Sequence, residues 1–94
     1  MALYLVSYDI AEKDEFEYKD LWNKLRQIGA VKILYSEWMV IAGTGYAADL
    51  YGELAPLTQE KDRLLVQEVT KDARFDKLMI SDEKFTEILK RARG

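Results

Sequence analysis

The succession of extended and helical segments along this chain predicts an α+β fold, one sheet crossed by two helices. Three observations predict it. Residues 2–10 alternate with the period of a strand, Tyr18 to Ile28 repeat with the period of a helix, and a second strand–helix–strand succession runs between residues 31 and 70. At 94 residues the chain is long enough for one domain and too short for two. Residues 1–94 are therefore read as one domain, with a core at about 2–70 and a C-terminal appendage at 71–94.

In the first segment Tyr4, Val6, Tyr8 and Ile10 fall on one side, and Leu3, Leu5, Ser7 and Asp9 on the other. Both sides are largely apolar, as in a strand at the centre of a sheet or at an interface. Tyr18, Leu21, Trp22, Leu25 and Ile28 then form one helical stripe. Asp14 with Glu17 is placed to cap its start, and Gly29 to end it in a left-handed conformation. Val31 to Ser36 and Trp38 to Ala42 are rich in β-branched and aromatic residues and read as a hairpin or one bent pair of strands. Gly43-Thr44-Gly45 is a loop, with Thr44 the expected cap of a second helix carrying Ala47, Leu50, Tyr51 and Leu54. Pro56 disfavours helical geometry at Ala55 and keeps that helix short.

A polar connection, Leu57 to Arg63, leads to a fourth strand at Leu64 to Thr70, and Lys71 to Asp76 reads as a turn. Phe75, Leu78, Met79 and Ile80 are apolar enough to dock, either as a fifth edge strand or on a partner. Ser81 is placed to cap a final helix whose buried side is Phe85, Ile88, Leu89 and Ala92. The order is the split βαβ pattern of a ferredoxin-like βαββαβ sandwich, with both crossover helices on one face of an antiparallel sheet. The opposite face is expected to be open, and an apolar row left bare there calls for cover by a second copy.

Composition excludes whole classes of chemistry. The chain has no cysteine and no histidine, so it carries no disulfide, no thiolate or imidazole nucleophile system and no ordinary zinc site. What remains is carboxylates, hydroxyls, lysine and hard cations such as Mg2+ bound through oxygen. The apolar start, Leu3 to Val6, is too short for a leader or a membrane span, which predicts a cytoplasmic protein with no membrane partner. A net charge of −3 argues against indiscriminate nucleic-acid binding but leaves room for a local basic face. Five acids against two lysines lie between Glu12 and Asp20, while Lys84, Lys90, Arg91 and Arg93 weight the last helix positively, where they can complement its dipole or touch phosphates.

Two residues are the candidates for chemistry. Asp9 ends the first strand, where its carboxylate can hold a cation or simply cap a turn. Ser36, between Tyr35 and Glu37, can hold a phosphate oxygen or a metal-bound water, or bond its own backbone in a turn. Gly43-Thr44-Gly45 lacks the lysine of a Walker loop and the spacing of GxGxxG. Tyr4, Tyr8, Tyr35 and Trp38 sit on strands and are placed to line the open face. Trp38-Met39-Val40-Ile41, however, lacks the basic-Gly-aromatic pattern of an RNA-recognition domain.

The opening Leu3-Tyr-Leu-Val-Ser-Tyr-Asp-Ile10, a following helix and then Val31-Lys-Ile-Leu-Tyr-Ser36 resemble the small CRISPR-associated Cas-two-like family. The resemblance covers roughly residues 2–70, with the Asp9 motif its most specific part. It implies a ferredoxin-like homodimer with paired Asp9 carboxylates facing each other and sharing Mg2+. It also implies a metal-dependent endonuclease acting on RNA or DNA, a structural subunit of spacer acquisition, or both. The chain departs from the family at Glu12-Lys-Asp-Glu15, where basic residues are usual, and matches it loosely from Ser36 to Leu57. The competing expectations are a non-catalytic dimeric scaffold whose C-terminal helix docks a larger protein partner, and a small-ligand sensor on the same fold.

Overall fold

The computed structural model describes residues 1–10, 15–69 and 77–93. Strand β1 (Ala2–Asp9) is followed by helix α1 (Glu15–Gln27), the hairpin of β2 (Val31–Leu34) and β3 (Glu37–Ala42), helix α2 (Ala47–Leu54), strand β4 (Arg63–Val69) and helix α3 (Asp82–Arg93). The strands lie in the order β2-β3-β1-β4, and every neighbouring pair is antiparallel. The result is a small α+β fold: a four-stranded antiparallel sheet with three helices.

Alternation along β1 decides how the molecule is layered. Tyr4, Val6 and Tyr8 enter one apolar cluster with Tyr18, Leu21 and Leu25 of α1, Leu50 and Leu54 of α2, and Trp38 and Val40 of β3. Fully burying a large apolar side chain contributes roughly 1.5–3 kcal/mol, so Tyr4, Leu21, Leu25 and Leu54 anchor both helices to this face. The cluster's polar atoms are matched internally. Both indole N–H groups, of Trp22 and of Trp38, donate to the Tyr8 hydroxyl at 3.0 Å. The Tyr4 hydroxyl takes the Tyr46 amide at 2.8 Å and donates to the Gly43 carbonyl. Three of the four strand aromatics expected on an open face, Tyr4, Tyr8 and Trp38, are thus buried under the helices; Tyr35 stands in the β2–β3 turn.

The opposite face is not open along its whole length. Leu3, Ile33 and Met39 form a second cluster with Phe85 and Ile88 of α3, flanked by Leu5, Leu78, Ile80, Leu89 and Ala92. The cover expected from a second copy is supplied at this end by the chain's own last helix. The apolar stripe of α3 is therefore spent within the chain, and its polar side faces outward.

The element ends follow local chemistry. Gly29 closes α1 at φ +85, where a side chain would be strained, and the Ala30 amide reaches back to the Leu25 carbonyl. Ser81 caps α3, its hydroxyl accepting the Lys84 amide at 3.1 Å. Thr44 does not cap α2. The cap position is Tyr46, and it makes no side-chain capping bond, because the Tyr4 hydroxyl fixes this loop instead. Beyond α2 a single 3-10 turn, Ala55–Leu57, accommodates Pro56 near its start. Ile10 lies past the end of β1. The docking segment around Met79 adds no strand among the described residues. It makes one backbone bond, from the Met79 amide to the Ile33 carbonyl at 2.9 Å, while Leu78 and Ile80 join the α3 cluster. The expectations for Asp14, Thr70 and the turn at 71–76 with Phe75 lie outside the described residues.

Candidate functional site

Because α3 covers only the Leu3 end of its face, the Ser7–Asp9 end stays uncovered among the described residues. There β1 runs between Glu37 at the start of β3 and Arg63 at the start of β4. Cross-strand partners share a face, so the pairings Ser7↔Glu37, Ser7↔Leu65 and Asp9↔Arg63 bring these side chains to one surface. A shift in register between Lys32 and Leu34 breaks the alternation of β2. Ile33 keeps its place in the α3 cluster while the next residue, Leu34, turns toward Glu37. The outcome is a shallow cleft of about 420 Å³.

Asp9 stands at the cleft with its side chain 75% exposed, and the Arg63 guanidinium is 3.6 Å from its carboxylate. Both partners are mostly in water, so this pairing is worth at most about 1 kcal/mol and leaves Asp9 available to a stronger ligand. The Ser7 hydroxyl donates to the Glu37 carboxylate at 2.7 Å. Ser36, in the β2–β3 turn, is exposed and lines the same cleft. Its carbonyl accepts the Tyr8 amide at 3.1 Å and so ties the turn to the strand end that carries Asp9. Leu34 and Leu65 form exposed apolar margins.

Asp9 and Ser36, far apart in sequence, therefore line one cleft. Sequence reasoning placed Ser7 beside Asp9 by alternation, but gave Glu37 and Arg63 no role there. Their signal is the sheet register, which is set by long-range pairing.

The donors available are the carboxylates of Asp9 and Glu37 and the hydroxyls of Ser7 and Ser36. They are all oxygen, the type a hard cation takes. They do not complete a magnesium site in one chain. No group of three or more acidic side chains able to hold a metal occurs among the described residues, and Asp9 already faces a guanidinium. The Gly43–Gly45 loop is no rival site, since the amide that follows it is spent on Tyr4. No helix of the described residues is long and apolar enough to cross a membrane. No protein-family model matches the chain.

Proposed function

We propose that this chain is a Cas-two-like protein of ferredoxin-like fold that acts as a homodimer and processes nucleic acid at the cleft bearing Asp9. The strand order β2-β3-β1-β4, with α1 and α2 on one face, supports the ferredoxin-like reading. One observation carries the functional part. The two residues with the best chemical credentials in the sequence, Asp9 and Ser36, line one cleft on a stretch of that sheet face that α3 leaves bare among the described residues. Apolar margins at Leu34 and Leu65 beside Asp9 and Arg63 suit contact with a second copy, which would add its own Asp9 to the donor set.

Magnesium enters this proposal as an ion shared between two copies; bound there, it would neutralise charge on a phosphate and activate water. The chain's own groups have separate parts. Asp9 is the anionic ligand, Arg63 a cation for a phosphate oxygen, and the Ser36 hydroxyl a donor at the cleft wall. The Ser7–Glu37 hydrogen bond holds the floor in place.

A second reading, a non-catalytic dimeric scaffold, is favoured by the pairing of Asp9 with Arg63 and by the small number of carboxylates. Labelled single-stranded RNA, single-stranded DNA and duplex DNA, incubated with magnesium or EDTA, separate the two readings when the mass of the protein in solution is measured alongside. Metal-dependent cleavage of any of them by a dimer, lost in Asp9→Asn, supports the enzyme. A dimer that cleaves none leaves the scaffold. A monomer that cleaves none overturns both.

A further inference from the structure

On the other side of the β2–β3 hairpin the cations have no carboxylate partners. Lys32 projects from the edge strand, with its ammonium 5.9 Å from the Trp22 ring centroid and 5.8 Å from that of Tyr35. Arg26 of α1 lies 5.7 Å over the Trp38 ring. Among the described residues neither cation has a carboxylate within salt-bridge distance, and Arg26 makes only a long hydrogen bond to Asn23 at 3.4 Å. Among the described residues Arg63 alone of the cations makes an ion pair, so what sets Lys32 and Arg26 apart is the aromatic rings they stand against. The wall is rigid. The indoles of Trp22 and Trp38 both donate to the Tyr8 hydroxyl, so the rings beside the cations are fixed to one another.

Tyr35 completes the surface. Tyr35 is 84% exposed at the tip of a two-residue turn, beside the Lys32 ammonium. Nothing in the packing of the chain requires an aromatic ring there. A flat ring beside two cations is what an unpaired nucleotide needs: a face on which its base stacks and positive charge for its phosphates. A duplex hides its base faces and suits the ring poorly. Tyr35 also adjoins Ser36, which lines the Asp9 cleft, so a strand held here leads into that cleft.

We propose that Tyr35, Lys32 and Arg26 form a binding site for single-stranded nucleic acid, the base stacking on Tyr35 and the backbone phosphates meeting Lys32 and Arg26. This proposal rests on the nucleic-acid reading of the Asp9 cleft but is tested apart from it, because binding is read in EDTA, where no metal-dependent cleavage occurs.

The probe is a fluorescein-labelled unstructured decanucleotide, read by anisotropy at two salt concentrations, with a duplex of the same sequence beside it. The parent protein is expected to prefer the single strand. Tyr35→Ala is expected to weaken binding roughly 5- to 150-fold, the span of one lost base stack, while Tyr35→Phe keeps it. Lys32→Gln should lower the slope of log affinity against log salt by about 0.7, one phosphate contact on a single strand. Tyr35 and Lys32 lie outside the core, and circular dichroism of each variant confirms that it is folded. Lys90→Gln, an equal charge change on the exposed side of α3, should bind like the parent.

Binding that Tyr35→Ala and Lys32→Gln leave unchanged overturns the site. If Asp9→Asn alone removes that binding, the cleft reading stands and this one falls. Patch-dependent binding by a protein that cleaves nothing supports this site and counts against the enzyme. Competition by poly-glutamate as effective as that by the oligonucleotide marks a plain anion-binding face and overturns the stacking proposal, as does absence of binding by the parent.

Discussion

Replacing Tyr8 with Phe removes one oxygen and strands two donors. The Tyr8 hydroxyl accepts from both Trp22 and Trp38 at 3.0 Å, and the bond from Trp38 is fully buried. A buried donor left without a partner costs about 1–3 kcal/mol. Trp22 is only half-buried, so its N–H regains water and loses less. The expected total is about 2–4 kcal/mol, against a whole-domain stability of roughly 5–14 kcal/mol for a chain of this length. Urea unfolding followed by tryptophan fluorescence is the assay, since both reporters flank the lesion. The midpoint should fall with the slope unchanged, because the folded and unfolded states keep their exposed areas. Tyr8→Phe in a Trp22→Phe background should cost less than in the parent, because one donor is already gone. A loss under about 0.5 kcal/mol in the parent would refute the claim that the Tyr8 hydroxyl satisfies both indole donors.

Other outcomes follow from the packing. Phe85→Ala should cost about 3–5 kcal/mol in thermal or urea unfolding, and should raise binding of a hydrophobic dye as α3 loosens from Leu3 and Met39. Deleting residues 81–94 should likewise expose the second cluster and promote self-association at low concentration, measured by light scattering; a monodisperse, equally stable truncation would contradict the cover assigned to α3. Gly29→Ala should lower stability by about 1 kcal/mol, because φ is +85 there and no neighbouring atom obstructs a Cβ. Arg63→Ala should change stability by less than about 1 kcal/mol, since its ion pair with Asp9 is exposed, yet alter any metal affinity of the cleft.

Much of the fold was legible in the chain because it is written in short-range periods. The alternation of β1 separated Leu3 from the row of Tyr4, Val6 and Tyr8, though it did not say which row lies under the helices, and the stripe from Tyr18 to Leu25 located the buried side of α1. Gly29 and Ser81 marked helix ends by rules that depend on neighbours only. The partner of an apolar stripe was not legible. Phe85 and Ile88 announce a buried side, but a stripe on a helix does not say which sheet face it meets, so cover of the open face was expected from a second copy instead. Thr44 failed as a cap because Tyr4, distant in sequence, holds the loop through its hydroxyl. The cleft was half legible. Asp9 and Ser36 stood out as residue types, whereas Glu37 and Arg63 depend on strand register and Leu34 on a bulge, none of which a local pattern encodes.

The central claim, that Asp9 is a ligand in a cleft shared by two copies, is tested most directly by calorimetric titration of the purified protein with manganese or magnesium, beside Asp9→Asn and with the mass in solution determined. The account predicts about one ion per dimer in the parent and none in the variant. A well-folded dimer that binds no ion, or a variant that binds as the parent does, would contradict it.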